Sequence, residues 1–194
     1  TYTLNSTLFP HNLAMAATRN PALVKAAAKV TAAELRASGT RWNFAPVLDL
    51  GRQPLWSRFP ETYGEDVYIG KIMGVAAIQG YEEDGLNNST AVASCMKHYL
   101  GYSASRTGKD RTPIYMPEIE MREYYLPQFR AAVKAGSSSI MINSSDINGV
   151  PVHASKVLLT DLLRKELGFE GLIVTDWEDI IRLHSIHKVA ATPR

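Results

Sequence analysis

The chain has 194 residues, of which 45% are apolar and 21% are charged, a composition typical of soluble globular proteins. A formal net charge of +2 is too small to predict a nucleic-acid partner, and no apolar run reaches the roughly eighteen residues of a membrane span. The single cysteine, Cys95, excludes an internal disulfide and leaves the compartment open, with a periplasmic or secreted protein favoured over a cytoplasmic one.

Helical and strand signals alternate along the first half of the chain. Asn20 followed by Pro21 predicts the start of a helix, because proline fits the first helical position, and Gly39 supplies its end. The elements predicted next are a strand over residues 42–48, a loop over 49–65, a helix over about 66–82 and a strand over 90–96.

The second half continues the alternation. A helix is predicted from about Pro117 to Gly136, and Pro127 should kink or divide it because proline cannot donate the helical hydrogen bond. The remaining predicted elements are a strand over 138–143, a helix over 155–167 that ends at Gly168, and a strand over 171–175. Strands that alternate with helices of this length imply a parallel sheet with right-handed crossovers.

All four predicted strands lead into polar or charged residues. These clusters are residues 49–52, 97–98, 143–146 and 176–177. Polar residues at the C-terminal ends of parallel strands are typical of a (β/α) barrel, which carries its site on that face. A complete eight-stranded barrel needs about 250 residues, so this chain is too short for one. A smaller doubly wound sheet is the alternative, but no Gly-x-Gly-x-x-Gly or Walker sequence supports a nucleotide site.

Asp176 is the strongest candidate for catalysis. It follows the run Gly-Leu-Ile-Val-Thr at 171–175 and therefore lies at the C-terminal end of a predicted strand. Aspartate in such a position often caps the next helix, and the residue alone leaves capping and catalysis equally open. The neighbouring Trp177 favours catalysis, because an aromatic ring at the mouth of a site can stack on a sugar, although core packing is the commoner role of a lone tryptophan.

Lys97 and His98 follow the apolar run 91–96 and offer two donors that could bind substrate hydroxyls or hold a carboxylate ionised. Neighbours in a regular strand point to opposite faces, so both side chains reach one ligand only where the backbone is irregular. We therefore expect unusual peptide geometry near residues 97–99, with a non-proline cis bond as one form of it. The alternative is a surface lysine beside a core histidine.

The loop over 49–66 is dense in arginine, tryptophan and carboxylates, and a loop of this length is more often functional than accidental. We expect buried arginine–carboxylate pairs that present one guanidinium, with solvated charges as the alternative. His184 and His187 could form a metal pair, but no third ligand is evident and an exposed helix face is the favoured interpretation.

Together these segments resemble glycoside hydrolase family 3, in its β-glucosidase and β-glucan exohydrolase branch. The resemblance covers nearly the whole chain, and several motifs in order are far more specific than any one of them. The motifs are Thr-Leu-Phe-Pro-His (7–11), Phe-Ala-Pro-Val-Leu-Asp-Leu-Gly-Arg (44–52), Trp-Ser-Arg (56–58), Glu-Thr-Tyr-Gly-Glu-Asp (61–66), Lys-His-Tyr (97–99), Asn-Gly-Val-Pro (148–151) and Val-Thr-Asp-Trp (174–177).

The resemblance implies a retaining, exo-acting β-glucosidase in which Asp176 is the nucleophile and forms a covalent glycosyl-enzyme. Arg58, Lys97 and His98 would bind hydroxyls of the terminal non-reducing glucosyl unit, and Trp177 would form one wall of the aglycone side. The expected substrate is a β-glucoside or β-glucan oligosaccharide, and neither a cofactor nor a metal is implied. A retaining mechanism also needs a second carboxyl group about 5–5.5 Å from the nucleophile.

Three positions depart from the family pattern. Leu55 replaces a common arginine and Ser57 replaces a glycine. The family often has a tyrosine near position 144 that contacts the nucleophile, where this chain has Asn143-Ser144-Ser145. That puts the role of the tyrosine in doubt, and not the family.

The resemblance also implies that parts of the enzyme lie outside the chain. In this family one hydroxyl-binding aspartate precedes the Leu-Phe-Pro-His motif, and the acid/base glutamate normally comes from a second domain. Residues 1–194 are therefore expected to be an incomplete N-terminal barrel domain, a partial (β/α)8 TIM-like barrel without its first and last strands, and inactive alone. The alternatives are a β-xylosidase or other family 3 β-glycosidase, a non-catalytic carbohydrate-binding remnant, and an unrelated metal-dependent barrel hydrolase.

Overall fold

The computed structural model describes residues 5–83 and 85–193, and parallel strands alternate with helices along them, as the sequence predicts. The α-helices are α1 (Asn12–Ala17), α2 (Pro21–Ala37), α3 (Val67–Tyr81), α4 (Glu118–Glu120), α5 (Pro127–Lys134) and α6 (Asp179–Ser185). Two π-helices span Met121–Tyr125 and Val157–Glu166. The strands are β1 (Trp42–Asn43), β2 (Ala93–Tyr99), β3 (Ser139–Ile142), β4 (Asp146–Ile147), β5 (Val150–Pro151) and β6 (Leu172–Val174).

Four strands form one parallel sheet in the order β1–β2–β3–β6, while β4 and β5 form a separate antiparallel hairpin. In the parallel sheet, Trp42 pairs with Ala93, Cys95 pairs with Ser139, and Ser139 pairs with Leu172. Parallel strands bring their C-terminal ends to one edge of a sheet, so the segments after β1, β2 and β6 meet there.

Apolar surface is open at both edges of this sheet. Leu172 in the edge strand β6 is 56% exposed, and Phe44, which follows the opposite edge strand β1, is 47% exposed. Apolar residues of a parallel sheet are normally buried, so the exposure of these two side chains fits the expected incomplete barrel.

The first strand is shorter than predicted. The sequence suggested a strand over 42–48, but β1 ends at Asn43. Pro46 has no N–H to donate to a ladder, and the Ala45–Pro46 peptide bond is cis. The chain rejoins the sheet at Val47, which bridges to Lys97.

The second strand begins and ends later than predicted. The prediction of a strand over 90–96 placed Lys97 and His98 after it, whereas β2 continues through Tyr99 and contains both. Its pairing with β3 shifts between Met96 and Tyr99. The Lys97–His98 and Tyr99–Leu100 peptide bonds are both cis, which confirms the expected irregular backbone.

Local sequence explains where two of the helices begin. Asn20 Oδ1 accepts the N–H of Leu23 at 3.2 Å, so α2 starts at Pro21 with the predicted cap. The helix predicted over 117–136 is divided at Pro127, where α5 begins. The helix predicted over 155–167 is present but π-helical, as the 2.9 Å bond from Leu167 N–H to the Leu162 carbonyl shows.

The core lies between the sheet and the helices that cover its outer face. Met96, Tyr99 and Ile140 are fully buried, and the Tyr99 ring meets Phe129 of α5 edge-to-face with centroids 5.3 Å apart. Gly80 allows α3 to approach α2, because a side chain there would collide with the Lys25 carbonyl. No helix within the described ranges is long and apolar enough to cross a bilayer.

Candidate active site

The C-terminal edge of the sheet holds a cavity of about 420 Å³. All five predicted site residues line it, together with residues from β3 and from the segments after β1 and β6. The lining residues are Phe44, Arg58, Lys97, His98, Met141, Thr175, Asp176, Trp177 and Glu178. A second cavity of about 440 Å³, between α4 and the π-helix Val157–Glu166, contains none of the predicted residues.

Asp176 follows β6 and turns its carboxylate toward the cavity, with 19% of the side chain exposed. Its Oδ1 accepts the N–H of Trp177 at 2.6 Å. Oδ2 lies 3.5 Å from His98 Nε2, and Oδ1 lies 3.4 Å from Arg111 Nη2. The residue at the N-terminal cap of α6 is Glu178, so Asp176 does not take the helix-capping position.

The environment of Asp176 favours its charged form. Burial raises the pKa of Asp176, but the Trp177 N–H and the interactions with His98, Arg111 and Arg58 lower it more, so the pKa lies below its ordinary value. The carboxylate is therefore ionised at neutral pH.

His98 is held from behind by Asp49. The Asp49 Oδ2 atom lies 2.7 Å from His98 Nδ1 and accepts the His98 backbone N–H at 3.1 Å. Both side chains are almost completely buried. The opposite ring nitrogen, Nε2, is thereby directed at Arg58 Nη1, 3.1 Å away, and at Asp176.

Arg58 forms one partly buried pair with Glu61 in the 49–66 loop, where buried arginine–carboxylate pairs were expected. Its Nε and Nη2 atoms donate to Glu61 at 2.8 Å each, which fixes the plane of the guanidinium. Burial lowers the pKa of Arg58, but Glu61 raises it more, so the pKa lies above its ordinary value. Arg52 does not join this pair and instead stacks over Tyr124, 4.1 Å from the ring centroid.

Lys97 and Trp177 complete the polar and aromatic walls of the cavity. Lys97 is partly buried, and this burial and the charge of Arg58 lower its pKa, against the opposing charges of Glu61 and Asp176. Trp177 is 75% exposed, so its ring is a surface for contact rather than a part of the core. The alternative of core packing for this tryptophan is wrong.

Two residues at this site were not predicted from the sequence. Arg111, in the long loop after β2, contacts Asp176 and donates to the Trp177 carbonyl at 3.0 Å. Asp179, at the start of α6, is 2% exposed and lies 3.1 Å from Arg111 Nη1. Arg111 lies in the segment 99–116 between a predicted strand and a predicted helix, and the length of such a loop favours a functional role without indicating which residue acts. No sequence pattern singled out Asp179.

The departures near position 144 have a structural counterpart. Ser144 Oγ donates to Asp179 at 2.9 Å rather than contacting Asp176. Asn143 is buried, donating to the Leu100 carbonyl and accepting the Ser145 N–H. Among the described residues, the side chains of Asn143 and Ser144 are thus engaged in hydrogen bonds within the protein, and none of these bonds is to Asp176.

The weaker candidates do not assemble into a second site. His184 Nδ1 lies 3.1 Å from the Ala190 carbonyl. Among residues 5–83 and 85–193, no group of three or more histidine, cysteine or acidic side chains could hold a metal ion. Cys95 is fully buried, and this burial raises the pKa of its thiol.

Comparison with known proteins places this arrangement in a family. The model of the glycosyl hydrolase family 3 N terminal domain matches residues 2–193. The chain is 47% identical to a lysosomal beta glucosidase of Dictyostelium discoideum, with 98% of the chain and 24% of that protein covered. It is 42% identical to a beta-xylosidase of Formosa agariphila, with 96% of the chain and 26% of that protein covered.

Solved structures agree with the sequence relatives. The beta-glucosidase of Listeria innocua superposes with a TM-score of 0.94 at 34% identity, over 97% of this chain and 26% of that one. The chain thus spans about a quarter of the length of the relatives it matches. Its sheet and helices are part of the TIM-barrel-like α/β fold of this domain, and the chain belongs to glycosyl hydrolase family 3.

Proposed function

We propose that the chain is the nucleophile-bearing part of a longer retaining, exo-acting β-glucosidase that hydrolyses terminal non-reducing β-D-glucosyl residues. One observation carries the proposal most directly. Asp176, a carboxylate with a lowered pKa, lines a cavity with the donors Arg58, Lys97 and His98 and with the exposed ring of Trp177. The beta-glucosidases among the relatives support the same substrate class.

In the proposed mechanism Asp176 attacks the anomeric carbon and forms a covalent glycosyl-enzyme, which water then hydrolyses. The carboxylate is suited to this step because His98, Arg111 and Arg58 favour its anionic form at neutral pH. Its contact with the Trp177 N–H restricts rotation of the carboxylate, so the nucleophile is held before the sugar arrives. No cofactor or metal takes part.

The sugar hydroxyls would be bound by Arg58, Lys97 and His98, which line the cavity together with Asp176. Arg58 is fixed by Glu61, and the His98 ring is fixed by Asp49, so Arg58 Nη1 and His98 Nε2, which lie 3.1 Å apart, are both held in a set direction. Donors fixed before binding lose little entropy when a substrate arrives. Trp177 would stack on the aglycone side, where its ring is already exposed.

The acid/base group is proposed to come from outside residues 1–194. Leaving-group protonation needs a carboxyl group that faces the substrate. Asp49 is buried behind His98, Glu61 is engaged by Arg58, and Asp179 is buried against Arg111. Glu178 also lines the cavity and is the alternative. If Glu178→Gln in the complete enzyme keeps its activity on an aryl β-glucoside, the external group is supported, and a loss of several hundredfold would assign the role to Glu178.

A β-xylosidase is the second candidate, because the Formosa agariphila relative carries that name. Glucose differs from xylose by its hydroxymethyl group, so kcat/KM for paired aryl β-glucoside and β-xyloside substrates separates the two functions. A ratio above one for the glucoside supports the first. A non-catalytic carbohydrate-binding role would be indicated by sugar binding without turnover in the complete protein.

The proposed nucleophile is tested by trapping. A 2-deoxy-2-fluoro-β-glucoside should inactivate the complete enzyme and leave its label on the peptide containing Asp176. Asp161, a surface carboxylate paired with Lys156 and Lys165, is the matched control, and Asp161→Asn should be labelled at the wild-type rate. A label on another carboxylate would overturn the assignment of Asp176.

A further inference from the structure

Arg111 connects the proposed nucleophile to a second, buried carboxylate. One terminal nitrogen, Nη2, lies 3.4 Å from Asp176 Oδ1, and the other, Nη1, lies 3.1 Å from Asp179 Oδ1. Nη1 also donates to the Trp177 carbonyl at 3.0 Å. A single guanidinium therefore contacts three positions of the segment that follows β6, with only 21% of its side chain exposed.

Asp179 is held too firmly to follow the movements of the guanidinium. Its side chain is 2% exposed, Oδ2 accepts the Ser144 hydroxyl at 2.9 Å, and the same oxygen lies 3.5 Å from His153 Nε2. A buried carboxylate with several partners is a rigid anchor, because moving it would leave a charge unpaired away from water. Arg111 is thus fixed from the side opposite the cavity.

The backbone of Arg111 is also set in an unfavoured conformation. Its φ is +58°, in the left-handed region that residues with a Cβ rarely adopt. The neighbours on both sides are bonded, since Trp56 Nε1 donates to Asp110 at 3.1 Å and Thr112 Oγ1 donates to the Lys109 carbonyl at 2.8 Å. Such a conformation persists only where surrounding structure fixes it, and it commonly marks a functional residue.

We propose that Arg111, anchored by Asp179, is the positioning residue that orients and electrostatically supports the Asp176 carboxylate. The inference rests on the proposed role of Asp176 as nucleophile. Ser144 contacts Asp179 and not the nucleophile, so it belongs to the anchor of the arginine.

The electrostatic part of this role has a predictable sign. Asp176 faces His98 and Arg58 from the elements on one side, and also interacts with the charges of Lys97 and His153. Arg111 is the guanidinium closest to it among these groups in the described part of the chain. Removal of Arg111 should raise the pKa of Asp176. The rate of a reaction that needs the carboxylate should then begin to fall at a higher pH as the solution is acidified.

The test is the pH dependence of inactivation by 2,4-dinitrophenyl 2-deoxy-2-fluoro-β-D-glucoside in the complete enzyme. The dinitrophenolate leaves without protonation, so the acidic limb of the rate reports the nucleophile rather than the acid/base group. Mapping the label identifies the attacked residue in the same samples. The variants are Arg111→Gln, which removes the charge, and Arg111→Lys, which keeps the charge without the fork.

Arg111→Gln should label Asp176 about 100-fold more slowly, with its acidic limb moved to higher pH. Arg111→Lys should be about 10-fold slower with its limb near that of the wild type, because the charge remains. The control is Arg122→Gln, since Arg122 also joins two carboxylates, Glu118 and Glu166, but on the outer surface. It should behave as the wild type.

Two outcomes would overturn the inference and leave the proposed function intact. One is an unshifted acidic limb in Arg111→Gln with the label still on Asp176. The other, decisive if that variant does not fold, is labelling of Arg111→Lys at the wild-type rate. If the wild-type enzyme is labelled on a residue other than Asp176, the proposed function is overturned instead.

Discussion

The Asp49 carboxylate lies 2.7 Å from Nδ1 of His98, and the two side chains are almost completely buried together. Asp49 follows β1 and His98 lies in β2, so this contact joins neighbouring strands at the edge of the sheet that holds the cavity. The same oxygen accepts the His98 backbone N–H. The direction of the imidazole is therefore fixed by a residue that does not itself line the cavity.

Asp49→Asn tests this relationship. An amide can offer a donor to Nδ1 where a carboxylate can only accept, so the ring of His98 loses its fixed orientation. We expect kcat/KM on an aryl β-glucoside to fall about 100-fold in the complete enzyme, with Asp161→Asn unaffected. Wild-type kcat/KM in Asp49→Asn would show that the contact does not position His98.

The Arg58–Glu61 pair should make stability depend on pH in the acid range. Burial raises the pKa of Glu61, but its bonds to Arg58 and the charges of Arg58, Lys97 and His98 lower it more. A carboxylate whose pKa is lowered by folding stabilises the fold above its unfolded pKa of about 4.3, and this contribution is lost as pH falls through the folded value.

Glu61→Gln should therefore lower the Tm of the complete enzyme at pH 7, and the difference from the wild type should shrink below about pH 4. The effect should be modest, because 36% of the Glu61 side chain is exposed and solvent screens the pair. Thermal melts between pH 3 and pH 7 measure it. A Tm difference that is constant over this range would contradict the assignment.

Trp177→Ala should weaken substrate binding without weakening the fold. The ring is 75% exposed, so its removal uncovers no core, while the loss of a stacking surface should raise KM about 10-fold. The KM of Trp177→Phe should lie between the KM of the wild type and that of Trp177→Ala. Tyr68→Ala, at a 63% exposed ring on α3 that does not line the cavity, is the control. A fall in Tm with unchanged KM would assign Trp177 a structural role.

Phe129→Ala tests the packing of α5 on the sheet. The ring is 1% exposed and meets Tyr99 edge-to-face, so its loss leaves a cavity and should cost about 3–5 kcal/mol. We expect a decrease in Tm on the order of ten degrees. Ile119→Ala, at a 73% exposed side chain, should change Tm little. Equal effects of the two substitutions would contradict the described core.

The sequence predicted the α/β class and the strand-end residues Lys97, His98, Asp176 and Trp177 because those signals are local, whereas the role of Arg58 came from the family resemblance. An apolar run that ends in Asp176 marks a strand end, and parallel strands bring such ends to one edge. The end of β2 differs from the prediction because the change from apolar to polar residues does not end the strand, and Lys97 and His98 remain inside it.

Arg111 and Asp179 could not be predicted in the same way. Their contact joins the 99–116 loop to α6, and no local pattern specifies which loop side chain reaches a distant carboxylate. The π-helical geometry of Val157–Glu166 was missed for a related reason, since the apolar spacing that predicts a helix does not separate its hydrogen-bonding types.

The central claim, that Asp176 is the nucleophile, is tested most directly by the stereochemistry of azide rescue. Asp176→Gly in the complete enzyme leaves room on the face that the carboxylate occupied, so azide should attack a dinitrophenyl β-glucoside from that face and give α-glucosyl azide, detectable by NMR. If Asp176 is the nucleophile, azide restores turnover and the product is the α-glucosyl azide. Formation of β-glucosyl azide would contradict the assignment of Asp176. Hydrolysis by this variant at the wild-type rate without azide would contradict it as well.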